Sequence, residues 1–328
     1  MNESPEVVLI CTSPKAGSGQ RRDLVPKLAH ALTDRGLEVR STSNIDQLAA
    51  DAKSLTAAGR LKGVVAAGGD GTLSLVVSRL PAESPVMPLP LGTENLMARY
   101  LGHRPSAEDA ADTIMRQRTV VMDAALADER LFLIMCSCGF DAEVVRRLHT
   151  TRSGHIWKLS YLAPVLRSMI GYHFPSLRLI DRQSDEQPVP ARWAFVFNVP
   201  RYAVGLPIAA WADGTDGWLD SVTFDKGSVY RALHYLAHIF RRSHHTLDGT
   251  IIGRSRRFTI EPTDPAAKIP YQLDGDFAGY LPVEIAVQPS RVTMLLPQHC
   301  PVEFKTDTGG HHSTNAQPSR EPSARQLT

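Results

Sequence analysis

The stretch VVAAGGDGTLSLVV, residues 64–77, decides how this chain is read. A short apolar run, Gly63 to Ala67, passes directly into Gly68-Gly69-Asp70-Gly71-Thr72, and the spacing predicts a helix from Thr72 to Leu80. Three glycines in four residues permit backbone approaches that a Cβ forbids. Bare amides at the start of a helix then suit an anion such as phosphate. The bland alternative is a tight strand-to-helix link with no ligand. Its position at the carboxyl end of a predicted parallel strand favours the ligand. No G-x-x-x-x-G-K-[ST] occurs, which excludes a P-loop enzyme, and the first strand–helix turn lacks the GxGxxG of a dinucleotide-binding dehydrogenase.

The flanking pattern is regular. Strand-like runs at Val7–Cys11, Leu37–Thr42 and Val86–Leu91 alternate with helical spacing over Arg21–Arg35, Asp46–Ala58 and Glu94–Leu101. Short apolar strands separated by helices predict βαβ units and a parallel sheet covered on both faces. A second strand–helix turn, Pro90-Leu91-Gly92-Thr93-Glu94-Asn95, follows the next strand, and Ser13-Pro14-Lys15-Ala16-Gly17-Ser18-Gly19 follows the first. All three fall on one sheet edge, where neighbouring turns can hold one polyphosphate.

From about Val120 the texture changes. Runs at Leu131–Cys138, Arg192–Val199, Leu219–Phe224, Ile251–Ile260 and Val283–Val287 read as strands, with helical insertions near 141–149, 156–171 and 228–242. They predict a mostly antiparallel second domain. The expected boundaries are 1–125, 126–305 with a last strand that returns to the first domain, and a polar tail at 306–328 without periodicity.

Taken together, GGDGT at 68–72, PLGTEN at 90–95 with Ala98-Arg99, and SPKAGSG at 13–19 resemble the diacylglycerol kinase catalytic domain family. The resemblance continues in Cys138-Gly139-Phe140-Asp141-Ala142, in Asn198 to Gly205, in Asp213 to Asp220 and in Gln272-Leu273-Asp274-Gly275-Asp276. It covers roughly residues 5–300. It implies a Rossmann-like α/β nucleotide-binding domain followed by an antiparallel β-sandwich, with catalysis in the cleft between them. It further implies a lipid kinase using ATP and Mg²⁺. GGDGT also occurs in NAD kinases, which stay open as an alternative, as does a weakly active nucleotide- or lipid-binding protein.

The resemblance implies ATP contacts from Ser13, Pro14, Lys15, Ala16, Gly17, Thr42, Gly68, Gly69, Asp70, Gly71, Thr72, Leu73, Ser74, Gly92, Thr93 and Asn95. Asp70 reads either as a proton acceptor or Mg²⁺ partner, or as a helix cap. Asp274 and Asp276 flank Gly275; read as one strand, positions i and i+2 face the same side, so both carboxylates are expected to face the cleft as candidate bases. The family has Glu where Asp276 stands, so Asp274 is the first candidate. Asn at Asp70 or Asp274 is expected to abolish turnover with the fold intact. Asp213, Asp216 and Asp220 share a Gly-rich turn, read either as a solvated turn or as a cation site. The resemblance implies Mg²⁺ there, through Asp213, Asp216 and the backbone of Trp218.

With 36 Lys and Arg against 34 Asp and Glu, the net charge of +2 gives no global case for nucleic acid. Basic residues without acidic neighbours do cluster at 146–167 and at Arg241-Arg242, beside amphipathic spacing. These read either as ordinary core-facing helices or as a surface for anionic lipid. Four cysteines, with Cys136 and Cys138 in an apolar run, fit a reduced cytoplasmic setting better than a disulfide framework. No run is long enough to span a bilayer, so the expected place is the cytoplasm or the inner face of a membrane. Oligomeric state stays open, a homodimer included.

Overall fold

A computed structural model describes residues 5–12, 23–150, 172–202 and 205–304. Its first part runs β1 (Val7–Thr12), α1 (Leu24–Asp34), β2 (Glu38–Thr42), α2 (Ile45–Ala57), β3 (Leu61–Gly68), α3 (Asp70–Arg79), β4 (Pro85–Pro90), α4 (Leu96–Leu101) and α5 (Ala107–Arg116). The four strands are parallel, in the order β2-β1-β3-β4. Val7, Val8, Leu9 and Ile10 are all fully buried, because both faces of β1 are covered. Leu28 and Leu32 of α1 and Ile114 of α5 close one face; Leu48 and Leu55 of α2 and Leu73 and Val76 of α3 close the other. Helix α5 was not foreseen. Ser106 caps it by accepting the Asp109 amide at 3.2 Å, but its buried face holds Ala110, Ala111 and Thr113 beside a single large apolar residue, Ile114, a weak hydrophobic signal.

The second part runs β5 (Thr119–Ala127), β6 (Arg130–Phe132), β7 (Met135–Gly139), α6 (Phe140–Thr150), β8 (Leu177–Asp181), β9 (Val189–Ala191), β10 (Trp193–Phe197), β11 (Leu219–Phe224), α7 (Val229–Phe240), β12 (Thr250–Ser255), β13 (Arg257–Pro262), β14 (Pro270–Leu273), β15 (Asp276–Tyr280) and β16 (Val283–Leu295). Six of these form an antiparallel sheet in the order β12-β11-β10-β7-β14-β15. The others extend the first sheet. Strand β16 lies parallel to β4 at Thr293 and Met294, and antiparallel to β5 and β13 along its length. The two sheets pack through Cys136, Cys138, Ala194 and Val196 on one side and Leu177, Phe258, Ile260 and Ile285 on the other. That is an α/β domain followed by an antiparallel β-sandwich.

Two expected strands prove to be pairs. The run 251–260 is β12 and β13, which lie in different sheets, with Arg256 at the corner. The run 131–138 is β6 and β7, again in different sheets, with the chain crossing at Leu133 and Ile134. A strand that changes sheets stays apolar throughout, so hydrophobicity alone shows no break. Asn198 holds the second corner: its side-chain amide donates to the carbonyls of Leu133 (2.8 Å) and Asp123 (3.0 Å), and its backbone amide to Ile134.

Candidate active site

Helix α3 begins at Asp70, two residues before the expected start, with Gly69 at its N-cap. The two glycine turns are bonded to each other. The Gly68 carbonyl accepts the amides of Leu91 (2.9 Å) and Gly92 (3.3 Å). A Cβ on Gly92 would lie 2.7 Å from the Gly69 Cα, so only glycine permits this approach. Asn95, with φ of 50°, ties its own loop: Gly92 donates to its Oδ1 (2.9 Å) and its Nδ2 donates to the Gly92 carbonyl (2.7 Å).

Asp70 serves the neighbouring helix. Its carboxylate accepts the amides of Leu96 (2.9 Å) and Met97 (3.0 Å), capping α4 from the first turn of α3. Burial pushes its pKa up, and those two amides pull it back. Both oxygens are thus engaged in clasping one glycine turn to the other. Thr93 is exposed at the tip, and Thr72 sits half-buried in the first turn of α3. Thr42 ends β2 with its hydroxyl accepting the Asn44 amide at 3.0 Å. Leu73 points into the core, so only its backbone is available to a ligand. Ser13, Pro14, Lys15, Ala16 and Gly17 lie outside the described residues.

Asp274 and Asp276 do not share a strand. Asp274 (φ 51°) and Gly275 (φ 89°) form the two-residue loop between β14 and β15, and Asp276 opens β15. An Asp-Gly pair with both residues at positive φ suits a tight hairpin. The loop nevertheless brings both carboxylates to α3. Ser74 donates to Asp274 Oδ2 at 2.8 Å, and Asp276 Oδ2 lies 2.7 Å from where a Cβ on Gly71 would stand. Asp274 also accepts three backbone amides from the strand corner: Leu133 on Oδ2 (2.8 Å), and Ile134 (2.9 Å) and Met135 (3.0 Å) on Oδ1. Burial raises its pKa to about 6 against these bonds. Four donors fill its lone pairs, and the Ser74 hydroxyl is the one that can rotate away.

A buried polar chain fixes this hairpin from below. Gln272 Oε1 accepts the Gly275 amide (2.7 Å), while its Nε2 donates to Ser137 Oγ (2.8 Å) and to Asp141 Oδ2 (3.4 Å). Ser137 and Tyr202 both donate to Asp141, whose pKa burial raises. Asp141, Tyr202 and Gln272 lie in motifs quoted above without an assigned role; Ser137 carried no signal beyond being polar within an apolar strand.

The Asp213–Asp220 loop is held differently. Asp213 Oδ1 accepts the amide (3.1 Å) and hydroxyl (2.7 Å) of Thr215, and Asp216 Oδ1 accepts the Trp218 amide (3.0 Å). Arg254 donates to Asp216 Oδ2, approaches Asp220 at 3.9 Å, and lies over the Trp218 ring at 5.7 Å. Asp123, a residue that the sequence reading missed, joins them by accepting the amides of Gly217 (2.6 Å) and Ser290 (2.8 Å). Its signal was a lone carboxylate inside the apolar run of β5. Burial is the main cause raising the pKa values of Asp123, Asp216 and Asp220, the last to about 6; the neighbouring carboxylates add to it. Oxygen donors whose negative charge Arg254 meets only in part are of the type a hard cation such as Mg²⁺ takes. Among the described residues, no cluster of three His, Cys, Asp or Glu side chains is arranged as a metal site.

Cys136 and Cys138 are buried sheet residues, and Cys11, Cys136, Cys138 and Cys300 are all free thiols. No described helix is long and apolar enough to cross a membrane.

Sequence comparison agrees with this architecture. Residues 7–127 match the family described as the diacylglycerol kinase catalytic domain, and residues 135–296 match the YegS C-terminal NAD kinase beta sandwich-like domain. The chain is 29% identical over 304 residues to a diacylglycerol kinase of Mycobacterium tuberculosis (strain H37Rv), covering 89% of this chain and 96% of that one. It is 27% identical over 243 residues to the uncharacterized protein sll0036 of Synechocystis, covering 71% of this chain and 54% of that one. Among solved structures, a diacylglycerol kinase from Bacillus anthracis str. Sterne superposes with a TM-score of 0.59 at 19% identity, covering 89% and 97% of the two chains. With the glycine turns, the Asp-Gly hairpin and the sandwich all in place, residues 7–127 belong to the diacylglycerol kinase catalytic domain family, and residues 135–296 to the YegS C-terminal NAD kinase beta sandwich-like family.

Proposed function

We propose that this protein is an ATP- and Mg²⁺-dependent lipid kinase that phosphorylates a hydroxyl of diacylglycerol or a related lipid. The observation that carries the reading is the docking of the Asp274-Gly275 hairpin on α3 beside the glycine turns, with Ser74 and Asp274 2.8 Å apart. A carboxylate with a raised pKa thereby stands next to an anion cradle. Phosphoryl transfer asks a protein mainly for such positioning and charge neutralisation.

In this reading the amides of the Gly68–Thr72 turn and of the Gly92–Asn95 turn hold the phosphates of ATP. Asp70 keeps the two turns in register by capping α4. The acceptor hydroxyl displaces the Ser74 hydroxyl from Asp274 Oδ2. Its oxygen bonds to the γ-phosphorus, the bond to the β,γ-bridging oxygen breaks, ADP leaves, and the proton passes to Asp274. Asp276, against Gly71, faces the same phosphates and orients the acceptor. Asp213, Asp216 and the Trp218 carbonyl would hold Mg²⁺, which supplies positive charge and order to the cleft. Free buried thiols support a reducing cytoplasmic setting, at the inner face of a membrane.

The test is transfer of label from γ-radiolabelled ATP, with Mg²⁺, to mixed micelles of candidate lipids, with NAD offered alongside. Label in one lipid, lost in Asp276→Asn, supports the kinase and identifies its acceptor. Label in NAD instead would move the activity to the NAD kinases. ATP binding without any transfer would leave a binding protein.

A further inference from the structure

Helix α7 has two apolar faces, and among the described residues only one of them is packed. Ala232, Tyr235 and Ile239 are buried, and Tyr235 packs on Phe224 at 4.5 Å and on Trp193 at 6.1 Å. On the opposite side, Val229, Tyr230, Leu233 and Phe240 stand 40%, 73%, 52% and 65% exposed. Their spacing of three, four and seven places them along one outward stripe. A helix this apolar on its solvent side has a second partner to find.

Charge identifies that partner. From Lys226 to His245 the chain contains no Asp or Glu, while it carries Lys226, Arg231, Arg241 and Arg242. Lys226 pairs with Asp248 at 2.6 Å, but Arg231, Arg241 and Arg242 form no ion pair among the described residues. We propose that the outer face of α7 is a docking surface for an anionic lipid bilayer, with Leu233 and Phe240 entering the acyl boundary and the arginines meeting headgroup phosphates. Tyr230, an aromatic residue with a polar tip, suits the interface itself. The proposal rests on the lipid-kinase reading for its choice of a bilayer, and names the face through which that enzyme reaches its substrate.

The test is flotation of the full chain with vesicles of phosphatidylcholine, with and without phosphatidylglycerol, in the absence of ATP. Wild type is expected to float with the anionic vesicles and to bind them less as salt is raised. Leu233→Glu and Phe240→Glu should each weaken binding at least tenfold, while Met115→Glu, at an apolar site on α5 that is 41% exposed, should not. Arg241→Gln with Arg242→Gln should lose about fivefold per charge. Circular dichroism confirms that each variant is folded. Flotation unchanged in the glutamate variants, or absent in wild type, overturns the proposal. So does a loss of self-association in those variants with flotation intact, which would assign the face to a second copy of the chain. The two readings separate: unchanged flotation with label transfer intact sinks the docking face alone, and the predicted flotation with no transfer to any lipid sinks the kinase alone.

Discussion

The Asp274 hairpin and the Asp213–Asp220 loop are alike in composition and opposite in electrostatics. Both are Asp-Gly turns at the end of a strand of the six-stranded sheet, and both crowd carboxylates into a poorly solvated place. At Asp274 the charge is met by three backbone amides and one hydroxyl, all fixed by the fold. In the Asp213–Asp220 loop one side chain, Arg254, faces Asp216 and Asp220, while Asp213 and the nearby Asp123 are met by backbone amides and the Thr215 hydroxyl. Backbone donors cannot be exchanged for anything else, whereas a guanidinium can yield to a cation. In the proposed reaction the first arrangement orients the proton acceptor, and the second would hold the cation.

The largest expected effect separates the two directly. Asp274→Asn turns an amide NH₂ toward N–H donors at the strand corner, so it should cost about 3 kcal/mol of stability as well as turnover. These contacts revise the sequence expectation that the fold would stay intact; a denaturation curve superposing on wild type would restore it. Asp276→Asn should lower turnover with little loss of stability, since Asp276 is only half-buried at the strand entrance.

Next comes the cradle. Gly92→Ala places a methyl 2.7 Å from the Gly69 Cα and must push the turns apart. ATP affinity, measured by calorimetry, should fall at least tenfold, with about 1–3 kcal/mol lost from stability. Wild-type affinity in this variant would mean that the two turns do not act together.

A smaller effect sharpens the other half of the comparison. Arg254→Gln leaves the Asp213–Asp220 loop with uncompensated charge, so added Mg²⁺ should raise the melting temperature of the variant more than that of wild type. Equal shifts would show that the loop takes no cation. In acid, Asp220 and Asp274 act together on stability. Their pKa values rise from 3.8 to about 6 on folding, so their stabilising contribution is complete below 3.8 and is lost as pH rises through 6. Turnover, which needs Asp274 ionised, should move the opposite way.

The α/β half was legible because its physics is periodic. Val7–Thr12 and Leu61–Gly68 are buried on both faces and read as unbroken apolar runs, and the glycine turns mark where they end. The sandwich was legible in kind and blurred in detail. Leu133-Ile134 and Ser255-Arg256 are points where the chain leaves one sheet for another, a choice made by distant partners such as Asn198 and Asp274. The site followed the same division. Gly68, Gly69, Gly92 and Asn95 act through local backbone shape, which sequence shows. That Asp70 caps α4, or that Gln272 ties the hairpin to Asp141, depends on contacts 26 and 131 residues apart.

The most direct test of Asp274 as the proton acceptor is the pH dependence of kcat/KM for label transfer, which reports the free enzyme in which Ser74 still bonds to Asp274, in wild type and in Ser74→Ala. Wild type should gain activity with rising pH through about 6 and then level off. Ser74→Ala removes a hydrogen bond that lowers the Asp274 pKa, so its limb should move to higher pH. A flat profile across pH 5 to 7.5 (about the span the limb would occupy), or a limb indifferent to Ser74, would contradict the assignment.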